Sequence, residues 1–180
     1  MSIFELFFTS VSLSMDAFAS SICKGIIGNN SIKNGFIISF SFGLFQALMP
    51  LIGYFIGDIF SQQIIKYDHY IALILLSIIG INMIRNYKDN TSVSDIISFK
   101  ELILLSIATS IDALIVGITL SFLQVNIILS ISIIGLITFI ICFIGYKLGL
   151  IIGNKLGNYA KLSGGIILII IGIKTFIEHM

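Results

Sequence analysis

Two carboxylates stand where an apolar chain should carry none. Asp16 and Asp112 each fall near the middle of a long hydrophobic run, in the closely similar settings Ser14-Met15-Asp16-Ala17 and Ser110-Ile111-Asp112-Ala113. An acid at that depth in a bilayer costs roughly 2.5 to 3.5 kcal/mol on insertion scales, so it demands a compensating partner or a function. Two of them in repeated settings point to one shared site. Hydroxyls surround them at helical spacing: Ser12 and Ser20 lie one turn either side of Asp16, and Thr109 lies three residues before Asp112. Gln46 is the other deep polar group. Pro50, the single proline, follows it by four residues and loosens a nearby carbonyl because it has no N–H to donate. Gln46 serves either as a ligand or as a hydrogen bond that packs helices.

Hard oxygen donors of this kind suit Mg, Ca or Mn. With two His and no placed Cys, zinc and copper are disfavoured. When such a site is empty, neighbouring carboxylates repel and burial favours the neutral form, so at least one should hold a proton that an arriving cation displaces. Cation/proton antiport is the expected chemistry, with the metal ion as cargo and no resident cofactor.

The composition fixes the surroundings of these residues. Of 180 residues, 57% are hydrophobic and 11% charged, and the mean hydropathy is +1.11, which places the chain among integral membrane proteins with lipid as its main neighbour. A net charge of +1 without a basic cluster excludes nucleic acid as a partner. Cys23 and Cys142 lack metal or redox spacing and read as buried, inert thiols. The N-terminal run has no basic leader, carries Asp16 at its centre, and reads as a retained helix.

About 20 apolar residues cross a bilayer. Polar interruptions then divide the chain into six predicted transmembrane helices, at residues 3–23, 36–60, 69–87, 101–123, 126–150 and 161–178. The short connection at 123–126 predicts a tight hairpin between the fourth and fifth. Lys24, Lys33, Arg85, Lys88, Lys100, Lys147, Lys155 and Lys161 fall on one side, and only Lys66 and Lys174 on the other. That asymmetry predicts both termini outside.

Residues 10–22 return as 106–118, matching Ser10 with Ser106, Ser14 with Ser110, Asp16 with Asp112 and Ala17 with Ala113. Ile52-Gly53-Tyr54 likewise returns as Ile144-Gly145-Tyr146, and Ile79-Gly80-Ile81 as Ile171-Gly172-Ile173. Each unit holds three helices, an odd number, so the second enters the membrane from the opposite face. The predicted fold is therefore an all-α membrane protein of two inverted three-helix repeats, residues 1–90 and 99–180, forming one domain with both acids near the midplane. Small residues one turn apart, Ala17, Ser21 and Gly25, with counterparts Ala113, Gly117 and Ser121, predict close helix contacts, as do Gly145, Gly149, Gly153 and Gly157. Glu5 and Glu101, each 11 residues before its Asp, fall at opposite mouths. There they either attract cations or simply complement helix N-termini.

With Ser-Met-Asp-Ala-Phe-Ala at 14–19, Phe-Gly-Leu-Phe-Gln-Ala-Leu-Met-Pro-Leu-Ile-Gly at 42–53, Ala-Thr-Ser-Ile-Asp-Ala-Leu at 108–114 and Phe-Leu-Gln-Val-Asn at 122–126, the chain resembles the MntP family of manganese efflux pumps nearly end to end. The resemblance implies a bacterial inner-membrane exporter of Mn(II), not an enzyme, with Asp16 and Asp112 as the motif acids. Some family members carry Glu where this chain has Gln46. Three other readings compete: an intramembrane aspartyl protease, whose motif contexts are missing here, a noncatalytic sporulation-type membrane protein, and the same scaffold exporting another cation.

Overall fold

The computed structural model describes residues 3–28, 31–85, 99–123 and 125–156, together with 166, 167, 169, 170, 173 and 177. Among these residues the chain is helical, with no strand, as a backbone in hydrocarbon must be when it satisfies its own hydrogen bonds. The helices are α1 (Ile3–Ile27), α2 (Ile32–Arg85), α3 (Phe99–Ala108), α4 (Ile111–Phe122) and α5 (Ile127–Leu156). Three stretches are long and apolar enough to cross a membrane, Phe4–Ile27, Ile32–Gly57 and Ile127–Gly153, and the bent pair α3–α4 makes a fourth if counted as one span.

Two predicted boundaries differ from the structure. The spans expected at 36–60 and 69–87 belong to one uninterrupted helix of 54 residues, α2, about 81 Å long against a hydrocarbon core of about 30 Å. Polar residues between 61 and 68 lower the hydropathy there. Without a Gly or Pro between Gly57 and Gly80, nothing in that segment stops a helix. Conversely, the span expected at 101–123 is broken at Thr109–Ser110 and bent by 45°. The sixth predicted span, 161–178, lies largely outside the described residues, of which 166, 167, 169, 170, 173 and 177 are helical.

Close backbone contacts set the register of the bundle. A Cβ on Gly145 would meet Ser21 and Phe18, one on Gly149 would meet Ile22 and Gly25, and one on Gly153 would meet Ile26, so α1 and α5 run parallel. Gly35 faces Tyr146 while Gly43 faces Gly135 and Phe139, making α2 antiparallel to α5. Gly117 rests on Pro50, Gly53 meets Leu114 and Ile118, and one turn on Gly57 meets Ile118 and Ser121, making α4 parallel to α2. Ser21, Gly25, Gly117, Ser121, Gly145, Gly149 and Gly153 thus make close contacts as the sequence predicted, and Gly157 lies outside the described residues. The expected hairpin differs: α4 packs along α2 and not along α5, although the connection between them is short. Gly117→Ala would drive a methyl into the Pro50 carbonyl. It should lower stability by about 1 to 3 kcal/mol, read as a drop in melting temperature in detergent.

The outward faces carry Phe4, Phe7, Phe8, Phe36, Phe40 and Phe55 among many exposed apolar side chains, which suits a lipid solvent. Buried apolar residues form two separate clusters. One joins Ala17 and Cys23 of α1, Ile38 and Phe42 of α2, Leu102, Leu105 and Ala108 of α3, and Cys142 and Tyr146 of α5. The other joins Leu6 and Leu13 of α1, Ala113 of α4 and Ile134 of α5, with Met49 of α2 packed against it.

Candidate metal centre between two apolar clusters

α1, α2, α5 and the bent pair α3–α4 each pass from one cluster to the other, and each is polar where it crosses. On α1, Ser14 and Asp16 lie between Leu13 and Ala17. On α2, Gln46 lies between Phe42 and Met49, and on α5, Thr138 lies between Ile134 and Cys142. Thr109, Ser110 and Asp112 fill the interval between Ala108 of α3 and Ala113 of α4. The result is a polar layer sandwiched between two greasy ones. Ser14, Gln46, Thr109, Ser110 and Thr138 are all buried in it, and both Asp16 and Asp112 are partly buried.

The break between α3 and α4 is a consequence of local chemistry. Thr109 Oγ1 donates to the Leu105 carbonyl at 3.0 Å and the Ser106 carbonyl at 3.3 Å, while Ser110 Oγ donates to the Ser106 carbonyl at 2.7 Å. Two consecutive hydroxyls therefore occupy carbonyls of the preceding turn, an arrangement that bends helices. The Ser110 N–H reaches Ile107 at 3.1 Å, tightening the last turn of α3. α4 then starts at Ile111, with Asp112 in its first turn. The Ala113 N–H donates to Asp112 Oδ1 at 2.8 Å. An acid is thereby held at a helix N-terminus inside the bundle, where the helix dipole favours negative charge.

Gln46 makes the packing bond with one end of its amide and leaves the other end unpartnered. Its Nε2 donates to the Leu13 carbonyl at 3.0 Å, tying α2 to α1. Its Oε1 is buried without a hydrogen-bond partner. Ser20 Oγ is also buried without a partner, whereas Ser12 is exposed, on the outer face of α1. Thr109 is buried with its hydroxyl proton engaged as above, leaving lone pairs for a cation. Among the described residues no three His, Cys, Asp or Glu side chains gather.

The model of the family described as "Putative manganese efflux pump", MntP, matches residues 29–176. The chain belongs to the MntP family. A relative from Desulfitobacterium hafniense is 48% identical over 178 residues, covering 98% of this chain and 95% of its own length. One from Campylobacter jejuni is 49% identical over 184 residues, covering 100% and 98%, and one from Acetivibrio thermocellus is 46% identical, covering 100% and 93%. Each carries the family's description with the name MntP. No solved structure matches the chain.

Two features of this MntP chain escaped the sequence reading. Thr138 and Ser39 are fully buried with unpartnered hydroxyls. Their signal was a lone hydroxyl within an apolar run, visible for Thr138 inside Leu136-Ile137-Thr138-Phe139-Ile140. Glu101, in the first turn of α3, lies 2.6 Å from Lys24 Nζ. The pair joins the end of α1 to the start of α3, with Lys24 at 8% and Glu101 at 25% exposure. Glu5, its counterpart in the repeat, sits exposed in the first turn of α1.

Proposed function

We propose that this chain exports manganese(II) across the bacterial plasma membrane by alternating access, through a site in the polar layer. Asp16 and Asp112 supply the charge, and Gln46 and Thr109 supply neutral oxygens, while Ser20 lies a turn beyond the layer, between Ala17 and Cys23. Exposed Ser12 stands apart from this set. The sequence repeat supports two inverted halves, 1–90 and 99–180, with both termini outside, and the arriving cation displaces a proton held by the acids.

The observation that carries this reading is the broken helix at Asp112 within a polar layer that also takes in Asp16. Discontinuous helices with their ends at the ion are the usual way a membrane transporter makes irregular backbone into a site. Membership in a family described as manganese efflux pumps supplies the metal.

The test is transport by the purified chain in liposomes that contain a manganese-sensitive dye. Mn(II) should enter, protons should move the opposite way, and an imposed pH gradient should drive uptake. Excess Mg(II) or Ca(II) should compete weakly. Uptake of another divalent cation in preference to Mn(II) would reassign the cargo on the same scaffold. Mn(II) flux indifferent to a pH gradient in either direction would remove the proton from the cycle.

A further inference from the structure

Among the described residues the buried hydroxyls of Ser10, Ser14, Ser21, Thr109, Ser110 and Ser130 all donate to a carbonyl one turn back on the same helix or bent pair. Buried Ser106 shares its hydrogen bond with Ser41 at 2.9 Å. Three hydroxyls depart from this pattern. Ser20, Ser39 and Thr138 are each 0% exposed, and none has a hydrogen-bond partner. An unsatisfied buried polar group costs about 1 to 3 kcal/mol. A carbonyl lies within reach one turn back along every helix, so leaving three hydroxyls unsatisfied calls for a ligand that visits them.

Their placement is ordered. Thr138 belongs to the polar layer, on the fourth side of it, and Gln46 with its own unpartnered Oε1 lies in the same layer. The Gly43–Gly135 and Gly43–Phe139 contacts bring Thr138 level with the interval of α2 between Ser39 and Gln46, which are two turns apart on one face. Ser39 lies between Ile38 and Phe42, and Ser20 between Ala17 and Cys23, all members of the cluster on the side of Lys24 and Glu101. The unpartnered oxygens thus start in the layer and continue towards the ion pair.

We propose that Thr138 is a ligand to the divalent cation, contributed by α5, and that Ser39 and Ser20 are the next oxygens on the cation's route between the polar layer and the Lys24–Glu101 end. The inference rests on the cation-transport reading and extends it to residues outside the acid motifs. Neutral hydroxyls suit this task because they replace water around a hard cation without adding charge to an apolar layer.

The experiment measures Mn(II) binding to the detergent-solubilised full chain by the loss of the free-ion paramagnetic resonance signal, alongside thermal melting. Thr138→Val keeps the shape and removes the hydroxyl. It should weaken Mn(II) binding about tenfold while the metal-free melting temperature holds or rises, since an unsatisfied group has been removed. Thr138→Ser should restore binding, and Ser39→Ala should slow transport in liposomes with stability intact. Unchanged binding and transport in both Thr138→Val and Ser39→Ala would overturn the proposal, as would weakened binding accompanied by a lower melting temperature that Thr138→Ser leaves uncorrected. If the unmodified chain binds no divalent cation at all, this proposal and the transport reading fall together. If the unmodified chain binds Mn(II) and both variants bind and transport it unchanged, this proposal alone falls.

Discussion

Asp112→Asn ends Mn(II) entry into dye-filled liposomes, and Asp16→Asn does the same, while both variants insert and melt at or above the temperature of the unmodified chain. An amide at position 112 retains an oxygen that can accept the Ala113 N–H, now held at 2.8 Å by the carboxylate, so the start of α4 is preserved. What it loses is charge. A hard divalent cation surrounded by neutral oxygens and one carboxylate is poorly compensated in an apolar bundle, and binding should weaken on the order of 100-fold, about 2.7 kcal/mol. The same replacement removes an acid from a bilayer interior, where it is costly. Stability and transport should therefore move in opposite directions. If both amide variants carried Mn(II) at the normal rate, the acids would be reduced to tying helices together, as in the sporulation-type alternative.

Lys24→Met lowers the melting temperature of the chain substantially. It leaves the Glu101 carboxylate beside α1 without the ammonium that now lies at 2.6 Å. Breaking a fully buried pair costs about 3 to 5 kcal/mol. Glu101 keeps a quarter of its surface, and the expected cost falls to about 2 kcal/mol. Combining Lys24→Met with Glu101→Gln should recover most of the melting temperature, because replacing both members of a buried pair is often neutral. Recovery in the double variant separates an ion pair from two independent packing residues. Additive losses would sink the assignment.

The class of the fold and the positions of the polar layer were legible because they depend on single residues against an apolar background. Asp16, Asp112 and Gln46 stand out for that reason, and so do the small residues that bring α1 and α5 together. The break between α3 and α4 was written in the pair Thr109-Ser110, yet its counterpart Leu13-Ser14 has only one hydroxyl, and α1 runs through unbroken. Matching the two segments as equivalents obscured that difference. The length of α2 was misread for the opposite reason. Hydropathy marks where a chain leaves lipid, whereas a helix stops only where Gly, Pro or a cap stops it. Lys24 and Glu101 lie far apart in sequence, and no local pattern announces a contact that the bundle alone creates.

The glycine contacts between α1 and α5 also govern how the molecule can move. Sliding one helix past the other by a single residue is a shift of about 1.5 Å with a turn of about 100°. That step would put the side chains flanking Gly145, Gly149 and Gly153 against the backbone of Ile22 and Ile26, where only hydrogen now fits. A one-residue slip between these two helices is therefore opposed by backbone contact. The 45° bend at Thr109–Ser110, where the helical ladder is already interrupted, offers less resistance to rearrangement.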